Sequence, residues 1–137
     1  MWEQKRVLIV DDDQDFAEAL SCFLAANGFL VSRACDGPEA VKLAKMEQPD
    51  LILMDIMMNE RTEGFFAVRE IRRDPALEKT PIFVLSSFCT RLPDFQIPSS
   101  GGWLSHDLFL AKPVDLKHLL EKIRQRLGQP GEAHHAA

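Results

Sequence analysis

Acidic residues directly follow two of the most apolar runs in this 137-residue sequence. Asp11, Asp12 and Asp13 come after residues 6–10, and Asp55 comes after residues 51–54. Several carboxylates at close range repel one another, so their convergence favours a bound cation. Oxygen ligands select magnesium or calcium over zinc, and a few carboxylates with room left for water and phosphate favour magnesium. The sequence therefore predicts a Mg²⁺ site at these positions.

A hydroxyl and an ammonium group follow two further apolar runs. Ser86 comes directly after residues 82–85, and Lys112 comes shortly after residues 108–110 and before Pro113. Ligands of open parallel sheets bind at the carboxyl ends of the strands, so these groups are expected to meet the carboxylates there. Lys112 supplies a positive charge for a phosphoryl oxygen, and Ser86 supplies a donor. This combination predicts phosphoryl transfer with an aspartate as nucleophile.

Five short apolar runs alternate with segments of helical periodicity. The runs are typical of strands buried on both faces, and they span residues 6–10, 29–32, 51–54, 82–85 and 108–110. Alternation of this kind predicts one α/β domain, a parallel sheet with helices on both of its faces. We expect this domain to span residues 1–128 and a polar tail to follow over residues 129–137.

Capping residues mark the ends of the predicted helices. Asn27-Gly28 ends the first helix, and Asp36 with Glu39 forms a capping box at the start of the second. Val68 and Ile71 indicate a third helix, and Asp115 is the expected N-cap of the last. No helix is recognisable between the fourth and fifth strands, where residues 86–107, which include the Pro93 to Gly102 segment, predict a largely irregular connection with at most a short helix.

Composition excludes several classes of partner and compartment. The net charge is −5 and the pI about 5.3, so neither nucleic acid nor an anionic membrane is an expected direct partner. The sequence shows no signal peptide and no apolar run of transmembrane length, which favours a cytoplasmic protein. The three scattered cysteines, Cys22, Cys35 and Cys89, are expected to be small buried residues in a reducing compartment.

The four strand-end motifs together resemble the receiver domains of two-component response regulators. They are Val10-Asp11-Asp12-Asp13, Leu53-Met54-Asp55-Ile56-Met57-Met58, Leu85-Ser86-Ser87 and Phe109-Leu110-Ala111-Lys112-Pro113. Their order and strand placement agree with that family over about residues 5–128. The resemblance implies a flavodoxin-like, doubly wound, five-stranded parallel sheet in the order 2-1-3-4-5.

The resemblance also implies a role for each motif residue. Asp55 would be the phosphoacceptor, supplied by a sensor histidine kinase or a histidine phosphotransfer protein. Asp12 and Asp55 would bind Mg²⁺ through their carboxylates, Asp11 mainly through water, and the backbone carbonyl of Met57 would complete the protein ligands. Lys112 would pair with the acyl phosphate. Ser86 and Phe109 would be the switch residues, although a core phenylalanine on a strand needs no further explanation. Asp13 is better interpreted as the cap of the first helix than as a ligand.

We expect a stand-alone receiver that signals by protein contact or phosphorelay to an unknown downstream protein. It would not be an enzyme, apart from Mg²⁺-dependent self-phosphorylation and slow autodephosphorylation. Apolar Met57 and Phe88, at the positions expected to guide water, indicate a fairly long-lived phosphorylated form. A pseudo-receiver that never takes phosphate is the alternative. An aspartate-dependent phosphatase would need a second acid/base aspartate close after Asp55, and the sequence offers none.

Overall fold

The computed structural model of the chain describes residues 4–55, 63–86, 108–111 and 114–127. Strands and helices alternate along these ranges, with a short 3-10 helix at Pro75–Leu77. Their bounds are β1 (Arg6–Val10), α1 (Gln14–Ala26), β2 (Leu30–Ala34), α2 (Gly37–Glu47), β3 (Leu51–Asp55), α3 (Glu63–Arg72), β4 (Ile82–Ser86), β5 (Leu108–Ala111) and α4 (Leu116–Leu127).

The strands form one parallel sheet in the order β2-β1-β3-β4-β5. Parallel neighbours require crossover connections, and the helices supply them in the described part of the chain. The parallel α/β arrangement predicted from the sequence is confirmed. Of the connection predicted to be irregular, Ser86 ends β4, whereas residues 87–107, which include the 93–102 segment, and the predicted tail, residues 129–137, lie outside the described residues. The proposed domain boundary at residue 128 therefore stays a prediction.

Two apolar clusters lie on opposite faces of the sheet. Leu8 and Val10 of β1 pack with α2 and α3, whereas Val7 and Ile9 pack with α1 and α4. The same alternation holds along β3 and β4, because successive side chains of a strand point to opposite faces. All five residues of β3 are buried. This double covering explains why the central strands are continuous apolar runs.

The second strand begins and ends later than the sequence predicts. The sequence predicts a strand over residues 29–32, whereas β2 spans Leu30–Ala34. Only Ala34 is fully buried within β2, because β2 is an edge strand, and apolarity is a poor guide to its limits. β3 and β4 each continue one residue beyond their apolar runs, into Asp55 and Ser86. Polar residues thus belong to the ladder at the site end of the sheet.

The predicted helix caps are present. Gly28 has a φ of +95°, the left-handed conformation expected after the end of α1. The Asp36 carboxylate accepts the Glu39 N–H at 2.8 Å. Glu39 returns its own carboxylate to the Cys35 N–H at 2.9 Å, one residue before the position that a standard capping box uses. Asp115 accepts the Lys117 N–H at 3.0 Å at the start of α4.

Two of the three cysteines contradict the prediction that they are buried. Cys22 and Cys35 are exposed free thiols, and Cys89 lies outside the described residues. Cys22 falls between the buried positions of α1, and Cys35 follows the end of β2. The Cys35 sulfur lies 3.5 Å from a Glu39 carboxylate oxygen. That hydrogen bond, local burial and the charges of Glu39 and Asp36 raise the pKa of the Cys35 thiol.

Arg72 anchors the connection between α3 and β4. Its Nη1 atom lies within hydrogen-bond distance of three backbone carbonyl oxygens, those of Leu77 at 3.1 Å, Glu78 at 3.0 Å and Thr80 at 2.6 Å. A guanidinium presents its donors in a rigid planar fork, so one side chain holds the whole turn. The turn leads directly into β4, and Arg72 therefore helps to fix the start of that strand.

None of the described helices combines the length and apolar character needed to cross a bilayer.

Replacing Arg72 with methionine should lower the free energy of unfolding by about 2 kcal/mol, because three carbonyls, two of them in part-buried hydrogen bonds, lose a charged donor. Urea denaturation monitored by circular dichroism measures this change. Arg69→Met is the matched control, since it removes the same charge from an exposed position on the same helix. Equal losses in the two variants would contradict the anchoring role.

Glu39→Gln should lower the pKa of Cys35 and speed its alkylation. The thiolate is the reactive form, so a raised pKa moves the rise in reaction rate to higher pH. Glutamine keeps the capping box but removes the negative charge beside the sulfur. At about pH 8, below the ordinary thiol pKa of about 8.5, the variant should react several times faster with iodoacetamide.

Peptide-resolved mass spectrometry measures that rate at each cysteine separately. Cys22 on α1 is the internal control, and its rate should be the same in both proteins. An unchanged rate at Cys35 would show that Glu39 does not hold the thiol proton.

Candidate functional site

Neighbouring strands bring the predicted carboxylates to one edge of the sheet. β1 and β3 are adjacent, and Val10 pairs with Met54 in their register. The next residue on each strand is an aspartate, Asp11 after β1 and Asp55 at the end of β3. Because the pairing is parallel, both residues leave the sheet at its carboxyl end. The register alone therefore places these two aspartates side by side.

Three carboxylates form a compact group at this edge. One oxygen from each of Asp11, Asp12 and Asp55 lies within 4.8 Å of the others. Asp11 is 3% exposed and Asp55 is 5% exposed, and they are the two buried charged residues in the described part of the chain. Asp12 is half-buried. The structure thus brings together the three side chains that the sequence singled out for a metal ion.

Asp11 is held at both its backbone and its side chain. Its N–H donates to the Ala34 carbonyl at 3.1 Å, across the end of β2. One of its carboxylate oxygens accepts the Asp13 N–H at 2.9 Å. Asp13 itself is exposed and caps α1, accepting the Phe16 N–H at 3.1 Å. The interpretation of Asp13 as a helix cap is confirmed.

The donor set fits a magnesium ion. All three groups are carboxylates, which hard divalent cations prefer, and no sulfur or nitrogen ligand belongs to the group. Two oxygens bound to one Mg²⁺ lie no more than about 4.2 Å apart, which is twice the usual bond length. The observed spread of 4.8 Å needs only a small contraction to reach that limit. Neutralising a cluster of like charges is the physical gain.

The remaining predicted residues are located only through their backbone or lie outside the described residues. Ser86 ends β4 and pairs with Ala111 of β5, while Leu85 pairs with Asp55. The backbone of Ser86 and the residue before Lys112 are therefore at the same edge as Asp55. Phe109 is the second residue of β5. Lys112 and Met57 lie outside the described residues, so their roles stay predictions.

A small cavity beside Asp11 was not anticipated from the sequence. Its volume is about 150 Å³, and its lining residues are Asp11, Gln14, Arg33, Ala34, Cys35 and Glu39. Arg33 donates to the Gln14 carbonyl at 3.4 Å across this space. A sequence prediction that extended β2 to Ala34 would have indicated this cavity. Ala34 pairs with Val10, so the residues that follow β2 lie beside those that follow β1.

A family-wide sequence pattern matches most of the chain. The pattern is that of the response regulator receiver domain, and it covers residues 7–124. The match includes all of β1 except Arg6, the whole of β3 and the three clustered aspartates. Receiver domains are signalling modules of two-component systems, and the acidic group is compatible with magnesium binding.

Known proteins agree with this match. The DNA-binding dual master transcriptional regulator RpaA of Synechocystis is 34% identical over 122 residues, 89% of this chain and 48% of RpaA. The polar-differentiation response regulator DivK of Brucella anthropi is 28% identical and matches over 90% of this chain and 97% of its own length. The chain spans about half the length of RpaA and of a related transcriptional regulator from Guillardia theta.

A solved structure shares the fold. The receiver domain of the sensor histidine kinase PA1611 of Pseudomonas aeruginosa superposes with a TM-score of 0.78 at 25% identity. The match covers 93% of this chain and all of that domain, whose active-site cleft contains a coordinated magnesium ion. Sequence pattern, relatives and fold agree with the geometry of the acidic edge. The chain therefore belongs to the response regulator receiver domain family.

Proposed function

We propose that this chain receives a phosphoryl group on Asp55 and uses it as a signal. The observation that supports this most directly is the convergence of Asp11, Asp12 and Asp55 within 4.8 Å at the carboxyl edge of a receiver fold. Receiver domains are signalling modules rather than enzymes that turn over an external substrate. The Mg²⁺-dependent self-phosphorylation and slow dephosphorylation proposed here are the exceptions.

The transfer exchanges one phosphorus bond for another. A carboxylate oxygen of Asp55 attacks the phosphorus of a phosphohistidine, a P–O bond forms and the P–N bond breaks. The imidazole leaves and takes up a proton, and Asp55 becomes an acyl phosphate. The burial of Asp55 among apolar neighbours strengthens the electrostatic interactions that stabilise the transferring group.

Asp11, Asp12 and Asp55 would hold the metal ion, with the Met57 carbonyl as a further ligand. When bound, Mg²⁺ neutralises phosphoryl oxygens and orients the group for in-line displacement. Asp11 is oriented for this by the Ala34 carbonyl and the Asp13 N–H. The PA1611 receiver domain, with magnesium in its cleft, supports this choice of ion.

Residues at the ends of β4 and β5 would bind and respond to the phosphoryl group on Asp55. Lys112 would pair with the acyl phosphate, and the Ser86 hydroxyl would donate to one of its oxygens. Phe109 would turn inward behind Ser86, which couples the phosphate to the β5 side of the sheet. The pairing of Ser86 with Ala111 supports the proposal that Ser86 lies close to the residues of β5. Met57 and Phe88, the expected neighbours of attacking water, favour slow hydrolysis because both are apolar.

The partners follow from this chemistry. A sensor histidine kinase or a histidine phosphotransfer protein would supply the phosphoryl group, which places the exchange in the cytoplasm. A downstream protein would then bind the phosphorylated form, or a second histidine would accept the group. RpaA is described as DNA-binding. The net charge of −5 here favours protein contact over direct binding to nucleic acid.

Asp55→Asn should abolish phosphorylation. Incubation with Mg²⁺ and acetyl phosphate should produce a phosphate adduct on the native chain, and intact-mass spectrometry should find none on the variant. Asp15→Asn is the matched control, since it removes an exposed carboxylate in the first turn of α1 and should label like the native chain.

Absence of an adduct on the native chain would favour a pseudo-receiver that never takes phosphate. An adduct that persists in Asp55→Asn would assign the acceptor to another residue. Steady release of phosphate from monoesters would instead indicate a phosphatase.

Magnesium should stabilise the native chain and Asp12→Ala should lose most of that effect. A ligand at about a hundred times its Kd stabilises the folded state by about 2.7 kcal/mol, which raises the thermal midpoint by several degrees. Asp12→Ala removes one of the three carboxylates, so the same Mg²⁺ concentration should give less than half of the shift. Thermal unfolding in EDTA and in Mg²⁺ measures this, with Asp15→Asn as the control. A full shift in Asp12→Ala would exclude Asp12 as a ligand.

A further inference from the structure

Asp13 connects the first turn of α1 to the acidic group. Its carboxylate accepts the Phe16 N–H at 3.1 Å, and its carbonyl accepts the Ala17 N–H at 2.9 Å. Its own N–H donates to a carboxylate oxygen of Asp11 at 2.9 Å. One residue thus accepts two helix donors and orients one carboxylate of the proposed metal site.

The two functions of Asp13 depend on the same backbone geometry. As an N-cap it has the extended values φ −81° and ψ 98°, which the bond to Phe16 maintains. The direction of its N–H follows from that conformation. Asp11 is 3% exposed and its backbone is fixed to Ala34, so its carboxylate has one main freedom, rotation about the side-chain bonds. The Asp13 N–H restricts that rotation.

The charge of Asp13 is a competing explanation for any effect on metal binding. Asp13 is exposed, and water and salt screen an exposed charge. A hydrogen bond to a ligating carboxylate is not screened in this way. Loss of such outer partners commonly weakens metal affinity by ten- to a hundredfold. The cap is therefore expected to matter more than the charge.

We propose that Asp13 is a positioning residue for the metal site, and that its helix cap orients Asp11 through the Asp13 N–H. This inference rests on the proposed function, because it assumes that Asp11 belongs to a Mg²⁺ site. Asp13 is not a ligand in this arrangement. It acts through Asp11, so the first turn of α1 and the metal site share one structural element.

Two substitutions separate the cap from the charge. Asp13→Asn keeps a good N-cap and removes the charge, whereas Asp13→Glu keeps the charge on a side chain too long to cap well. Isothermal titration calorimetry with MgCl₂ should give Asp13→Asn an affinity within about twofold of the native chain. Asp13→Glu should bind about tenfold more weakly, at the lower end of the range for loss of an outer partner. Asp13→Ala should match Asp13→Glu, and if the alanine variant does not fold, the first pair still decides.

A matched control tests whether any lost cap has this effect. Asp74→Ala removes the N-cap of the 3-10 helix at Pro75–Leu77, which precedes the start of β4 and therefore lies at the opposite end of the sheet from the acidic group. Its Mg²⁺ affinity should stay close to native. Hydrogen exchange at the Asp13 amide should accelerate in Asp13→Glu and not in Asp13→Asn.

The outcomes distinguish this inference from the proposed function. A native chain that binds no Mg²⁺ overturns the metal site and this inference with it. Native binding with Asp13→Asn weakened as much as Asp13→Glu shows that charge is responsible and overturns only the role of the cap. Native-like Mg²⁺ affinity in all Asp13 variants also overturns the role of the cap.

Discussion

The fold holds three mutually repelling carboxylates together at one edge of the sheet. Asp11 and Asp55 have little contact with water, which would otherwise screen them. They stay together because Asp11 directly follows β1 and Asp55 ends β3. Both strands are packed into the two apolar clusters, and neither can move without losing that packing. Hydrophobic burial on both faces of the sheet therefore sets the geometry of a charged site.

Much of this arrangement could be predicted from the sequence. The sequence predicts β1 with its observed bounds, because a short continuous run of β-branched and aliphatic residues is typical of a strand buried on both faces. The clustering of Asp11, Asp12 and Asp55 was also anticipated, since parallel strands end at one edge. Asp13 was assigned correctly to the helix, because an aspartate just before a helical stripe is a strong N-cap signal.

The errors arose where tertiary context overrides local pattern. β2 lies at the edge of the sheet, so its polar Arg33 is in the strand although it ends the apolar run predicted over residues 29–32. Cys22 and Cys35 are exposed because their positions on α1 and after β2 face away from the core, which residue type alone does not indicate. The side chains of Lys112, Ser86 and Phe109 lie outside the described residues, so their roles rest on motif order and strand register.

The strict alternation of the two apolar clusters has a consequence for how this sequence can change. Asp11 stands four positions after Val7, and Asp55 stands four positions after Leu51, so each carboxylate shares the phase of a residue packed against α1 and α4. Losing or gaining one residue inside either strand would invert that phase and exchange the two faces. Substitutions among aliphatic residues in β1 and β3 keep this arrangement, whereas a change in strand length does not. The spacing, more than the identity, of the core residues is what keeps the acidic edge in place.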